Sequence, residues 1–108
     1  MKKVNILGTE YSVETRDSKS DQILIDKDGY TDFSLKLIVI EDISKENGYQ
    51  WGDLEAFRQK VLRHELVHAF MYESGLDSNS EWGRDETLID WIAIQLPKIS
   101  EVFKELNI

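Results

Sequence analysis

Val61-Leu62-Arg63-His64-Glu65-Leu66-Val67-His68-Ala69-Phe70 is the stretch on which the reading of this chain turns. Both histidines of the 108 residues lie in it, four positions apart, with a glutamate directly after the first. On an α-helix, residues i and i+4 share one face about one turn apart, so two imidazoles at this spacing can reach one metal ion. Glu65 points about 100° away around the axis, which places it beside such an ion instead of on it. From there it can work on a metal-bound water, the division of labour of a zinc peptidase.

The surrounding residues support a helix. Asp53 is a suitable N-cap, its carboxylate able to accept from the free amides of the first turn, and Gly75 stands where a left-handed C-terminal residue is favoured. The helix is therefore expected to run to about Ser74. On a wheel at about 100° per residue, Leu54, Phe57, Val61, His64, His68 and Met71 form one face, and Leu62, Leu66, Ala69 and Phe70 fall roughly opposite. Two apolar faces imply packing on both, the sheet covering one and the C-terminal helix the other.

Upstream, the pattern is that of strands. Residues 2 to 16 read as a β-hairpin in which Val4, Ile6, Tyr11 and Val13 alternate with polar residues about a turn at Gly8-Thr9. Asp17 to Asp21 reads as a loop, Asp28-Gly29 as a turn, and Leu35 to Ile40 as the best strand in the chain. Downstream, residues 77 to 83 read as a loop. A second helix follows from Arg84 or Asp85 through Leu96, with a kink or restart expected at Pro97, whose ring crowds the carbonyl of Ala93. Ile99 to Leu106 keeps a helical rhythm. The expected architecture is α+β, residues 1–108 forming a single domain: a small antiparallel N-terminal sheet packed on the central histidine-bearing helix and a second C-terminal helix.

A catalytic zinc site takes three protein ligands and keeps one open position. Glu73 lies about 140° from His68 around the helix and points away. Glu86, 18 residues after His68, is the best third ligand. Asp90 follows it by four, so the two share a face as His64 and His68 do. An antiparallel return would set the pairs opposite each other, with Asp90 accepting from the outer nitrogen of His64.

Composition narrows the function. With 13 basic and 21 acidic residues the formal charge is −8, which opposes nucleic acid and anionic lipid. There is no cysteine, so disulfides and thiolate-bound zinc are excluded. The apolar run after Lys2 and Lys3 stops at Gly8, too short for a signal peptide's core, and no stretch approaches the roughly 18 apolar residues of a membrane span. A cytoplasmic protein is the expectation. Nothing in the sequence sets an oligomeric state.

His64-Glu65-x-x-His68 followed by Glu86-x-x-x-Asp90 resembles the gluzincin branch of the zincin metallopeptidases. More loosely, the chain resembles small phage- and prophage-encoded metallopeptidase-like proteins through Ile6-Leu7-Gly8-Thr9, Asp28-Gly29-Tyr30-Thr31-Asp32, Arg63 to Leu76 and Asp90 to Lys98. The resemblance implies Zn²⁺ on His64, His68 and Glu86, Glu65 as general base, a peptide or protein substrate and, for a phage-encoded protein, the bacterial host cytoplasm. Larger gluzincins add a histidine or tyrosine that stabilises the oxyanion; here Tyr72, Tyr30, Tyr49 and Arg84 are the candidates. The alternative is a non-catalytic zinc-binding interaction module, with Trp82, Trp91 and Ile94 offering a partner surface.

Overall fold

The computed structural model describes residues 2–108 and is α+β, a four-stranded sheet followed by helices. Strands β1 (Lys2–Ile6) and β2 (Thr9–Arg16) form the expected hairpin. Its turn falls one residue earlier than expected, on Leu7 and Gly8, both at positive φ (51° and 97°). Positive φ at both central residues matches the twist of the flanking strands. β3 (Gly29–Asp32) and β4 (Leu37–Glu41) form a second antiparallel pair.

The sheet as a whole is mixed, not antiparallel. The strand order is β1-β2-β4-β3, and β4 lies parallel to β2. The cause is the connection at residues 17–28, which includes a 3₁₀ turn at Gln22–Asp26 capped by Asp21. A connection this long carries the chain past β2, so the β3–β4 hairpin returns with β4 inserted beside it. β4 is then covered on both faces, and all five of its residues are buried. A strand buried on both faces reads as a continuous apolar run, which is how Leu37-Ile38-Val39-Ile40 reads.

Helix α1 (Leu54–Glu73) lies across one face of the sheet. Asp53 accepts from the Ala56 amide at 2.9 Å, and Gly75 adopts φ 86°, both as the sequence implies. Leu62, Leu66 and Ala69 pack with Ile6, Tyr11 and Ile38, while Leu54, Phe57 and Val61 pack with Ile40 and Ile43. Both apolar sets therefore serve the sheet side, and Phe70 is exposed. The strip that meets helix α3 (Glu86–Leu106) is a third and more polar one, carrying Lys60, Arg63 and His64. Its packing partners on α3 are led by Ile89 and Ala93, both fully buried. Among the described residues no helix is long and apolar enough to cross a membrane.

The C-terminal end of α1 is pinned to the sheet through Glu73, which points away from the histidines as expected. Its carboxylate accepts from the Tyr11 hydroxyl at 2.6 Å, the Thr9 hydroxyl at 3.0 Å and the Lys36 ammonium at 3.0 Å. These donors, Tyr11 and Lys36 foremost, hold the Glu73 carboxyl below its ordinary value of 4.5. A depressed folded value contributes stability that is present above pH 4.5 and lost as pH falls through the lower one. Glu73→Gln is accordingly expected to lower the urea midpoint at pH 7, the gap from wild type closing as pH is taken down to 2.5.

Helix α3 continues through Pro97 without the restart that the ring could cause. Proline has no N–H, so the Ala93 carbonyl four residues earlier loses its intrahelical donor. Arg63 of α1 replaces it, its Nε donating to the Ala93 oxygen at 2.6 Å. Losing a charged donor to a buried carbonyl costs roughly 1.5–3 kcal/mol. Arg63→Met should destabilise by about that amount. The same substitution should cost markedly less in a Pro97→Ala background, where the helix supplies its own donor; a double-mutant cycle from urea denaturation reads the coupling.

Candidate metal centre

The segment between α1 and α3 is not the open loop that residues 77 to 83 suggest. It folds as a short helix, α2 (Leu76–Asn79), and a 3₁₀ turn at Glu81–Arg84. The Ser and Asp residues act as caps: Ser80 accepts from the Trp82 amide, and Asp85 accepts from the Leu88 amide at 2.9 Å to start α3. Gly83 has no room for a side chain, since a Cβ there would collide with the backbone of Asp77 and Leu76. Arg84 donates to the Asp77 carbonyl across the same turn. This tightly folded corner sets where α3 begins, and hence where Glu86 stands.

The corner brings the two halves of the site together. His64 and His68 lie edge to face, ring centroids 4.9 Å apart, and both are largely buried. Glu86 stands between them, its two oxygens 3.2 Å from His64 Nε2 and 2.7 Å from His68 Nε2. Asp90 Oδ1 lies 3.2 Å from the other nitrogen of His64, Nδ1. An Nδ1–H donated to Asp90 leaves Nε2 as the free lone pair.

One ligand atom from each of His64, His68 and Glu86 lies within 4.8 Å of the others, the one such group of His, Cys, Asp or Glu among the described residues. A tetrahedral ion at bond lengths of about 2.0–2.2 Å sets its ligand atoms roughly 3.4 Å apart. The separations at Glu86, 2.7 and 3.2 Å, are somewhat shorter than that, so the three residues suit a zinc-sized ion once Glu86 draws back from the two rings.

Glu65 is only 6% exposed and sits under β3. The Thr31 hydroxyl lies 3.0 Å from its Oε1 and 3.1 Å from its backbone carbonyl. Burial pushes its carboxyl up, with Thr31 and then the two histidines opposing. β3 can come this close because residue 29 is glycine. A Cβ there would stand 2.9 Å from the Val39 carbonyl oxygen and 3.3 Å from Glu65 Cγ.

Two neighbours were not singled out in the sequence. Thr31 lies 34 positions from Glu65, and nothing local signals that contact. Lys60 was detectable, because it precedes His64 by four and shares its face. Its ammonium lies 3.2 Å from Asp90 Oδ1, the oxygen that also meets His64. Burial alone would raise the Asp90 carboxyl, but Lys60 and then His64 outweigh it and hold it low.

These groups line an open cleft of about 550 Å³. Of the four oxyanion candidates, Tyr72 stacks on Phe33 at 4.2 Å and the Tyr49 hydroxyl is committed to Asp28. Tyr30 borders the cleft, but its hydroxyl donates to Asp21 at 2.6 Å. Arg84 borders the cleft with no carboxylate partner among the described residues.

Comparison with protein-family models, with curated proteins and with solved structures returned no match.

Thr31→Val removes the one side-chain donor to Glu65 among the described residues while preserving shape. A buried carboxylate without its donor costs about 1–3 kcal/mol, so the denaturation midpoint should fall by that equivalent. Thr31→Ser, which keeps the hydroxyl, should recover most of it.

Proposed function

We propose that the protein is a zinc-dependent metallopeptidase whose metal ligands are His64, His68 and Glu86. The observation that carries this reading is the meeting of those three ligand atoms beside Glu65 in an open cleft. Two histidines and one carboxylate leave a fourth position to water or substrate, the arrangement of catalytic zinc and not of closed structural sites. When bound, zinc supplies a Lewis acid that polarises a carbonyl and brings the pKa of a coordinated water toward about 7.

The remaining chemistry falls to the chain. Glu65 takes the proton of the attacking water and delivers it to the leaving amine. Its burial favours the first exchange, because a carboxylate kept from bulk water binds a proton more readily. Thr31 holds the carboxylate in place, and Asp90, itself held by Lys60, fixes the tautomer of His64. β3 pairs with β4 on one side only, and Gly29, Tyr30 and Thr31 line the cleft. Its other edge suits an extended peptide, which would add as a further strand through main-chain hydrogen bonds.

A second reading, a zinc-binding interaction module, draws on Trp82 and Trp91, 70% and 55% exposed. The two readings part on turnover. Elemental analysis of untagged protein should give about one zinc per chain, and His68→Ala or Glu86→Ala should reduce it strongly. Glu65→Gln should keep the zinc and lose at least about 10²-fold in peptide hydrolysis, the usual contribution of a general base. Undiminished hydrolysis in that variant would refute the role of Glu65; a zinc-loaded wild type that cleaves no peptide would favour the module.

A further inference from the structure

A second cavity, of about 270 Å³, lies at the end of the β3–β4 pair and is bordered by Leu24, Ile25, Tyr49, Asp26, Asp28 and Glu41. Lys27 and Asp28 border both this cavity and the metal cleft, so the two adjoin. Glu41 is its unusual member. The residue is 4% exposed, its Oε1 accepts from the Ser18 amide at 3.1 Å, and its Oε2, itself buried, has no hydrogen-bond partner among the described residues. A buried carboxylate oxygen without a donor is costly, and native structures rarely leave one so. Nor do its neighbours neutralise it. Asp17, Asp42 and Asp28 raise its carboxyl further, and Lys27, which also borders the cavity, makes no ion pair with it.

What Glu41 lacks is a cation in contact with it, and the lining says which kind would suit. Hard metal ions take six or more oxygens at about 2.0–2.6 Å, which requires convergent carboxylates. No three acidic side chains converge here as His64, His68 and Glu86 do. Leu24 and Ile25 instead give the cavity an apolar wall, suited to the methylene stem of a long basic side chain. The last torsion of a glutamate is soft, so Oε2 can turn toward an arriving donor.

Strand geometry supplies the route. Gly29 and Thr31 of β3 face α1 and Glu65, whereas Tyr30 faces Leu24 and Val39 on the other side of the sheet. Glu41, two residues from Val39, shares that other side. A peptide added to the β3 edge alternates its side chains between the same two sides. One would meet the metal cleft, and the next would point toward the Glu41 cavity.

We infer that this cavity receives the ammonium or guanidinium end of a lysine or arginine side chain, with Glu41 as its anion. As a statement about substrate, that basic peptides are preferred, the inference rests on the peptidase reading; as a binding site, it stands apart from it. The net charge of −8 favours the same ligands at longer range.

The test uses the full chain, metal-free and uncut. It is titrated with N-acetyl-arginine amide, N-acetyl-lysine amide and the neutral N-acetyl-norleucine amide, and backbone amide shifts are followed by NMR. Saturable shifts at Ser18, Glu41 and Asp42 are expected with at least one cationic probe, the norleucine probe binding at least about 10-fold more weakly, as for loss of a charged hydrogen bond. Glu41→Gln, which removes a buried charge and should fold, is expected to weaken the cationic probe by a similar factor. The inference is overturned if neither cationic probe saturates, if norleucine binds as well, if Glu41→Gln changes nothing, or if Ca²⁺ or Mg²⁺ saturates the same amides and the organic cations do not. Because no turnover is measured, failure here leaves the zinc reading intact. Saturation here, beside a zinc-loaded wild type that cleaves no peptide in a separate assay, would leave the pocket standing and favour the module over the peptidase.

Discussion

The hydrogen bond from Arg63 to the Ala93 carbonyl is the contact on which the relation of the two long helices depends. Without a donor from outside, the carbonyl orphaned by Pro97 would be buried and unpaired in the middle of a helix, or the helix would break there. With Arg63 in place, α3 remains one helix from Glu86 to Leu106. Arg63 directly precedes His64, and Ala93 follows Asp90 by three. The bond therefore fixes the rotation and height of α3 at the level where the acidic pair must meet the histidine pair.

The other side of α1 is fixed by a different constraint, the closeness of β3. Gly29 lets the strand approach until Thr31 reaches both the backbone and the side chain of Glu65. α1 is thus gripped twice along its histidine-bearing turns, by a side chain toward α3 and by a backbone approach toward the sheet. Glu73 adds a third hold at its far end, where two donors from β2 and Lys36 from the β3–β4 turn offset the unfavourable placement of an acid at a helix C-terminus. Groups that must stay within a few tenths of an ångström of a working geometry need supports of this kind.

Much of this was legible beforehand where the information is local. Asp53, Gly75 and the i, i+4 pairs report on backbone geometry within one or two turns, and the structure places each as the spacing implies. The fold class was legible for the same reason, since strand and helix periodicities lie in separate halves of the chain. What escaped was relational. The parallel pairing of β2 with β4 depends on how residues 17–28 route the chain, which no periodicity records. Pro97 carries a local rule that a distant arginine cancels. The caps in residues 77–83 were visible as polar residues, but the same composition serves an open loop and a pair of capped turns equally well.

The sheet also divides the chain's acidic side chains by the company they keep. Glu73 and Asp90 are met by cations and are held ionised. Glu65 and Glu41 are buried with hydroxyl or amide donors only, and burial raises both. The first two lock helices in position, a task for which a permanent charge with a fixed partner is suited. The second two lie on opposite sides of the β3–β4 pair, each beside a cavity, and each lacks a lysine or arginine partner. Buried carboxylates of that kind are costly to a fold and cluster at functional sites. In this small domain, carboxylates paired with cations organise the scaffold, whereas the two buried ones without such partners each border a cavity.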